Sequence, residues 1–476
     1  MPDACRSRAS GPDLRRPRRI HIVGTGGSGM SAIATVLMGM GHAVSGSDAA
    51  DSARLRRLGA LGARVDVGHA AIHVGEAEMI VVSTAISSDN VEVVAARRLG
   101  LPVWRRAEML AAICAEKRTI AVSGTHGKTT TSAMLAAVLS ATGRRPSYVI
   151  GGDLRGVDGG AVWDGGSEWL VVEADESDGT FLELGAEAVV ITSIEPDHLD
   201  HYGDEVALRA AFEAFAGAAA GPKVLCADDI GSGSLAAALD AGPAGGGVIT
   251  YGTNPASTVR IEGVSGGRDG SVFSLRSGAT TAGPFSVGAP GLHNVRNAAA
   301  ALTMANAIGV SWAEAGRGLG SYRGVARRFD RRGEHRGVTF VDDYGHLPGE
   351  AAAALATAAG GGWARLVVVF QPHRYSRTAS LWRDFADAFP GADVLVVTDI
   401  YAAGEPPRPG ITGRLIAEAV RAAHPSADVR YVATLDDAAE ELRGVLRPGD
   451  LCLTLGAGDV TTLADRFLAP APDHDG

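Results

Sequence analysis

Short β-branched runs that end in glycine or polar turns, each feeding an alanine-rich stretch with helical spacing, recur along the chain. That alternation predicts βα units around parallel sheets. The clearest runs are RIHIVGTGGSG, MIVVSTAIS, RTIAVSGTHGKTT, EWLVVEADESDG, AVVITSIEPDH, RLVVVFQPHR, DVLVVTDIY and DLCLTLGAGD. Each puts its polar residues just past the carboxyl end of a strand, where open α/β sheets bind ligands. Residues 240–278 break the pattern and read as glycine-rich turns with short antiparallel strands. Boundaries are expected near Cys114–Thr119 and Ser321–Arg328, giving α/β domains over 20–117, 118–323 and 324–476. A length of 476 residues agrees, at roughly 150 per domain. Residues 1–19, with CRSRAS and DLRRPRR but no apolar run, are expected to form a disordered basic tail and not a secretory signal.

Two glycine loops carry the first chemistry. Residues 24–29, GTGGSG, sit between a strand-like and a helix-like run, and Asp48 follows at the spacing of a ribose-hydroxyl partner. A nicotinamide or flavin dinucleotide, a nucleotide-sugar pyrophosphate and a structural turn all remain open. The second loop, SGTHGKTTTSAM, nearly spells a Walker motif, but Val122 stands where the first glycine should be. Gly124, Gly127, Lys128 and Thr129 still supply permissive backbone, a cation for the β/γ-phosphates and a hydroxyl for Mg²⁺. Lys128 stands out because the chain has just three lysines, with Lys117 and Lys223.

Four carboxylates, Glu173, Asp175, Glu176 and Asp178, crowd one strand end. They repel unless solvent, hydrogen bonds or a cation intervenes, so a Mg²⁺ site and a solvated acidic loop compete. EPDHLDHY adds Asp197, His198, Asp200 and His201; with no third strong ligand for zinc, one metal-facing and one structural histidine are expected. His293, Asn294 and Asn297 offer groups for a purine edge, with helix capping by Asn294 as the rival. Arg374 and Arg377 suit a carboxylate substrate, unless they form an exposed basic turn.

Composition narrows the partners. Hydrophobic residues make up 46% and charged residues 21%, and the net charge of −10 argues against a nucleic-acid partner. No apolar run is long enough for a membrane span. Cys5, Cys114, Cys226 and Cys452 are scattered, without a zinc or disulfide pattern, so a cytoplasmic protein is expected.

Taken together and in order, these motifs resemble the Mur ligase family over nearly the whole chain after the tail. GTGGSGMSAIA, RRAEML, SGTHGKTTT, EADESDGTF, EPDHLDHY, GLHNVRNAAAA, ARRFD, VDDYGHLP and FQPHRYSRT all contribute. The resemblance implies a Rossmann-like UDP-binding domain, a central P-loop-like ATPase domain and a C-terminal Rossmann-like domain. It implies ATP-driven joining of L-alanine to the carboxylate of UDP-N-acetylmuramate through an acyl phosphate; the alternative is addition of a tripeptide to the same sugar nucleotide. Gly26, Gly27, Ser28, Asp48 and His69 would then face the UDP sugar. Gly124, Thr125, His126, Gly127, Lys128, Thr129, Thr130, His293, Asn294 and Arg327 would bind ATP. Thr129, Glu173 and His198 would hold Mg²⁺, with two ions expected. Lys128, Glu173 and His198 would be catalytic; Tyr344 and His346 would lie at the muramate end and Arg374 and Arg377 near alanine. A monomer or weak homodimer is expected. Two departures stand out: Leu347 replaces a histidine the family often has, and no lysine between Lys128 and Lys223 can supply the carbamylated lysine of sister ligases.

Overall fold

The computed structural model describes residues 11–156, 159–242 and 247–468, apart from the side chain of Asp200, and builds three sheets from the predicted βα units. The first contains β1 (Arg19–Val23), β2 (Ala43–Asp48), β3 (Arg64–Val67), β4 (Met79–Val82) and β5 (Val103–Arg105), parallel throughout in the order β3-β2-β1-β4-β5. Its helices are α1 (Ser28–Gly39), α2 (Ala53–Ala60), α3 (Val91–Arg98) and α4 (Arg106–Ala115). Chain direction reverses about β1, so the turn after β1 opens into the crevice where such sheets bind ligands.

The second sheet contains β6 (Arg118–Ser123), β7 (Ser147–Val149), β8 (Ala161–Val162), β9 (Trp169–Glu173), β10 (Ala188–Ile191), β11 (Lys223–Cys226), β12 (Val248–Gly252), β13 (Val259–Gly267), β14 (Gly270–Ser277) and β15 (Thr280–Val287). The order is β15-β14-β13-β12-β11-β10-β6-β9-β7-β8. Two-residue turns join β13, β14 and β15, a connection that only antiparallel neighbours allow, but β12 within the glycine-rich segment departs from expectation by pairing parallel with β11 and β13. The buried helix α5 (Lys128–Ala141) leaves β6 and packs on helices Leu292–Ala307 and Trp312–Leu319. The third sheet contains β16 (Asp330–His335), β17 (Val338–Asp343), β18 (Leu366–Phe370), β19 (Val394–Val397), β20 (Asp428–Tyr431) and β21 (Leu451–Leu455), ordered β16-β17-β21-β18-β19-β20. β16 alone runs antiparallel there.

Three sheets make two compact units. The first takes in described residues up to 264, 272–287 and 292–323; the second takes in 265–271, 288–291 and 324 onward. The first two sheets share a unit because one hydrophobic core runs through both, joining Ile33 and Leu37 of α1 to Leu170 and Val172 of β9. Trp163 packs so closely on Gly39 that a side chain there would meet it.

The disordered tail expected over 1–19 is not what residues 11–19 form. Residues 1–10 lie outside the described residues, but Pro12 and Leu14 are buried, Leu14 within the shared core, and Arg19 already begins β1. One apolar residue among the arginines is enough to dock that stretch. No helix among the described residues is long and apolar enough to cross a membrane.

Gly318 measures how tightly α5 is held. A Cβ there would lie 2.8 Å from the Val138 carbonyl oxygen and 2.9 Å from its Cα, both backbone atoms. Helix propensity favours alanine over glycine by about 1 kcal/mol. The backbone cannot yield, so overpacking should win: Gly318→Ala should lose about 1–3 kcal/mol in denaturant unfolding of the first unit.

Candidate active site

The strand order gathers the chemistry of the first unit. β6 lies between β9 and β10, so the loop after β6 is flanked by the acidic end of β9 and by residues 192–198 after β10. Gly124 and Gly127 have φ of +129° and +83°, in the region that favours glycine. A Cβ on Gly124 would strike the Thr192 hydroxyl and the Ser193 backbone, and one on Gly127 would strike the Asn297 amide. The loop is pinned from the β10 side. Thr125 N donates to Ser193 O (3.0 Å), His126 N to Ser193 Oγ (3.0 Å), Glu195 N to Thr125 Oγ1 (2.9 Å), and the Thr192 hydroxyl to His126 O. The first turn of α5, Lys128 to Thr130, then offers N–H groups without intrahelical partners, the geometry that receives a phosphate.

Lys128 Nζ donates to Gly124 O (2.8 Å) and Glu176 Oε1 (2.9 Å). Burial opposes its charge, but Glu176 and Asp175 outweigh burial and raise its pKa. Glu176 is 1% exposed, and burial pushes its pKa up against the pull of Lys128. Asp175 goes the other way: burial is outweighed by Lys128 and by hydrogen bonds from Ser177. Thr129 Oγ1 donates to Glu173 Oε1 (2.7 Å), whose other oxygen accepts from Gly151 N (2.6 Å). His198, in a left-handed conformation, offers a ring nitrogen that shares a cluster with carboxylate oxygens of Asp175 and Glu176, all within 4.8 Å of one another. Glu176 Oε2 is buried without a hydrogen-bond partner among the described residues, an acceptor that a cation would satisfy.

Helix Leu292–Ala307 brings the expected purine-side groups to the same loop. Asn294 lies inside this helix, two residues past its start, so it does not cap it. Asn297 Nδ2 donates to Asn294 Oδ1 (3.5 Å) while its carbonyl oxygen sits against Gly127. His293 is held below the ordinary histidine range by burial and then by Arg296.

In the first sheet, Ser47 O accepts from Gly24 N (2.9 Å) and Thr25 N (3.0 Å), and Asp48 Oδ2 accepts from Gly26 N (2.8 Å). Gly27 precedes α1 without a side-chain cap, so the Gly26–Gly27–Ser28 turn presents backbone N–H groups. His69, just beyond β3, places Nδ1 3.0 Å from Ser47 Oγ. The Arg106 guanidinium lies across Gly29, with Nε buried and unpartnered among the described residues and Nη1 3.9 Å from Asp178.

The second unit carries its own cluster at the carboxyl ends of β17, β18 and β21. His346 stacks edge-on between Tyr344 and His373, at ring distances of 5.4 and 5.5 Å. His373 Nδ1 is 2.9 Å from Arg377 Nη1 and its ring stacks on Tyr401. Arg374, with φ of +70°, opens helix Tyr375–Leu381. Glu350 accepts from His346 N (2.8 Å) and Leu347 N (3.1 Å).

Three family models cover almost all of the described chain. They are the Mur ligase family catalytic domain at residues 19–118, the Mur ligase middle domain at 122–305, and the Mur ligase glutamate ligase domain at 327–458. The chain belongs to the Mur ligase family. It is 45% identical to the UDP-N-acetylmuramate--L-alanine ligase of Nitratidesulfovibrio vulgaris over 95% of this chain and 98% of that one. The enzyme of that name from Agrobacterium fabrum is 44% identical over 94% and 95%. Among solved structures, the UDP-N-acetylmuramate-alanine ligase of Thermotoga maritima matches with TM-score 0.81 at 29% identity, covering 95% and 98%. A murein peptide ligase from Psychrobacter arcticus shares the fold at 23% identity, with TM-score 0.66.

In this Mur ligase the metal group expected from Thr129, Glu173 and His198 divides: Thr129 pairs with Glu173, while His198 joins Asp175 and Glu176. The Arg327 guanidinium donates to Asp342 Oδ2 (3.2 Å) and to the carbonyls of Gly456, Ala457 and Gly458, so it braces the second unit. Left-handed φ at Arg327 and Phe329 instead turns Arg328 outward, exposed beside the Tyr344 ring. Two side chains within quoted motifs had been given no role: Arg106 in RRAEML and His373 in QPHRYSR.

Burial, then His346 and Arg377, pushes the His373 pKa down to about 4 from 6.5. The unfolded chain therefore binds more protons between those values, and stability falls as pH drops from 6.5 toward 4. In thermal melts from pH 7 to 4, His373→Gln should flatten the acid-side fall in second-unit stability relative to the parent chain.

Proposed function

We propose that this Mur ligase joins L-alanine to the carboxylate of UDP-N-acetylmuramate at the expense of ATP, the first peptide step of peptidoglycan precursor synthesis, in the cytoplasm. The observation that carries this reading is 45% identity over 95% of the chain with a ligase named for those two substrates. Tripeptide addition is not favoured, because solved murein peptide ligases resemble this chain at 23% and 28% identity, well below the 45% of the alanine ligase.

The residues present suit each step. The glycine turn at Gly26–Ser28 receives the pyrophosphate of the sugar nucleotide, with Asp48 and His69 on the uridine side. The pinned loop and the first turn of α5 receive the ATP phosphates, and Lys128 neutralises charge on the group being transferred. His293, Asn294 and Asn297 stand on the purine side. Thr129 and Glu173 are donors for one Mg²⁺, and His198 with Asp175 and Glu176 for a second; the unpartnered Glu176 oxygen is what makes that set fit. Bound there, Mg²⁺ supplies charge neutralisation and alignment of the phosphates. A muramate carboxylate oxygen attacks the γ-phosphorus, the bond to ADP breaks, and an acyl phosphate forms. The amine nitrogen of alanine then attacks the acyl carbon, loses a proton, and inorganic phosphate leaves. Arg374 and Arg377 suit the alanine carboxylate, and Tyr344 and His346 the muramate end.

Phosphate release should need ATP, UDP-N-acetylmuramate and L-alanine together. Turnover with UDP-N-acetylmuramoyl-alanine and D-glutamate, or preference for tripeptide over alanine in competition, would contradict the reading. Lys128→Ala should cut turnover by at least about 10²–10³-fold while sugar-nucleotide binding, measured by calorimetry, stays near the parent value.

A further inference from the structure

Behind the uridine-side residues lies a buried carboxylate that the reaction above does not use. Glu92, in the first turn of α3, is fully buried. A charge in such a place costs several kcal/mol unless donors satisfy it. Donors converge from two stretches of chain: Ser47 Oγ of β2 (2.5 Å), and Ala70 N (3.2 Å), His73 Nδ1 (2.9 Å) and His69 Nδ1 (3.2 Å) from the segment after β3. Buried His21 of β1 stands 3.6 Å away. Burial pushes the Glu92 carboxyl up, but bonds from His21, Ser47, Ala70 and His73 outweigh it and bring it to about 2, so it stays ionised. The amino end of α3, capped by Asn90 Oδ1 on Glu92 N (2.9 Å), favours the same charge.

Two of these partners reach the ligand side. Ser47 holds the glycine loop through its carbonyl and Glu92 through its hydroxyl. His69 points Nδ1 at both Ser47 and Glu92. An ionised carboxylate only accepts, so Nδ1 carries the hydrogen, one tautomer and one ring orientation are selected, and Nε2 is left on the ring edge away from Glu92. A buried carboxylate serving bulk stability alone would be replaceable by apolar packing. This one draws together a strand end, a turn and a histidine that all border the crevice of the first sheet.

We propose that Glu92 is a positioning residue for the sugar nucleotide: it fixes His69 toward the pyrimidine nucleoside and, through Ser47, ties that histidine to the loop that receives the pyrophosphate. The proposal rests on the assignment of His69 to the uridine side, and the test separates the two. UDP alone serves as the probe, with its Kd measured by calorimetry on the full chain for the parent, His69→Ala, Glu92→Gln and the double variant.

Glu92→Gln keeps the shape and removes the charge; it should weaken UDP about tenfold while leaving the KM for ATP and alanine unchanged. The double variant should bind UDP no worse than His69→Ala alone, because both changes remove one arrangement. Independent losses that multiply, or an unchanged Kd in Glu92→Gln beside a weakened His69→Ala, would overturn the role of Glu92. An unchanged Kd in His69→Ala would overturn the uridine-side assignment itself, and the proposal with it. Should glutamine at 92 prevent folding, Ser47→Ala carries the same cycle with His69→Ala: a selective, non-additive loss of UDP affinity supports the proposal, and a multiplying loss overturns it.

Discussion

The ion pair between Lys128 and Glu176 is the interaction on which the first unit's site depends. Its side chains are 15% and 2% exposed, so each charge has lost most of its water and depends on the other. Breaking such a pair by removing one partner costs about 3–5 kcal/mol, because the remaining charge is stranded. The pair also joins two pieces of chain with opposite ligand preferences, a loop that receives anions and a strand end that receives cations. On the proposed function, a phosphate that takes Lys128 would leave Glu176 uncompensated, and a cation that takes Glu176 would release Lys128 for the phosphate.

That exchange needs a loop whose own shape does not change with it. The β10 side provides this: Ser193 and Thr192 hold the loop by backbone and hydroxyl bonds that make no use of Lys128. Two glycines let Ser193 and Asn297 approach within contact distance. Val122, where a Walker motif has its first glycine, is a fully buried position of β6 and belongs to the sheet.

Strand ends and both glycine loops were legible in the sequence because their signal is local: a β-branched run, a glycine turn, a helical stretch. The helix Leu292–Ala307 was legible for the same reason. What stayed hidden depends on long-range partners or on single backbone angles. Glu92 sits 45 residues from Ser47 and 19 from His73, and nothing in SSDNVEVV marks it as the centre of a polar cluster. Arg327 and Arg328 are indistinguishable as letters, and left-handed φ on both sides of Arg328 decides which one faces outward. Likewise, hydrophobic content within residues 11–19 was too slight to announce that Leu14 reaches the core.

Charge is unevenly balanced at the acidic strand end. Glu173, Asp175, Glu176 and Asp178 bring four negative charges, against which stand Lys128 on Glu176 and Arg106 near Asp178. Two negative charges remain uncompensated at this strand end. A carbamylated lysine would add a further anion to a site that already has carboxylate oxygens within 4.8 Å of a His198 ring nitrogen. Asp175 and Glu176 present their oxygens just past the end of β9, so the sheet itself fixes where that negative charge stands.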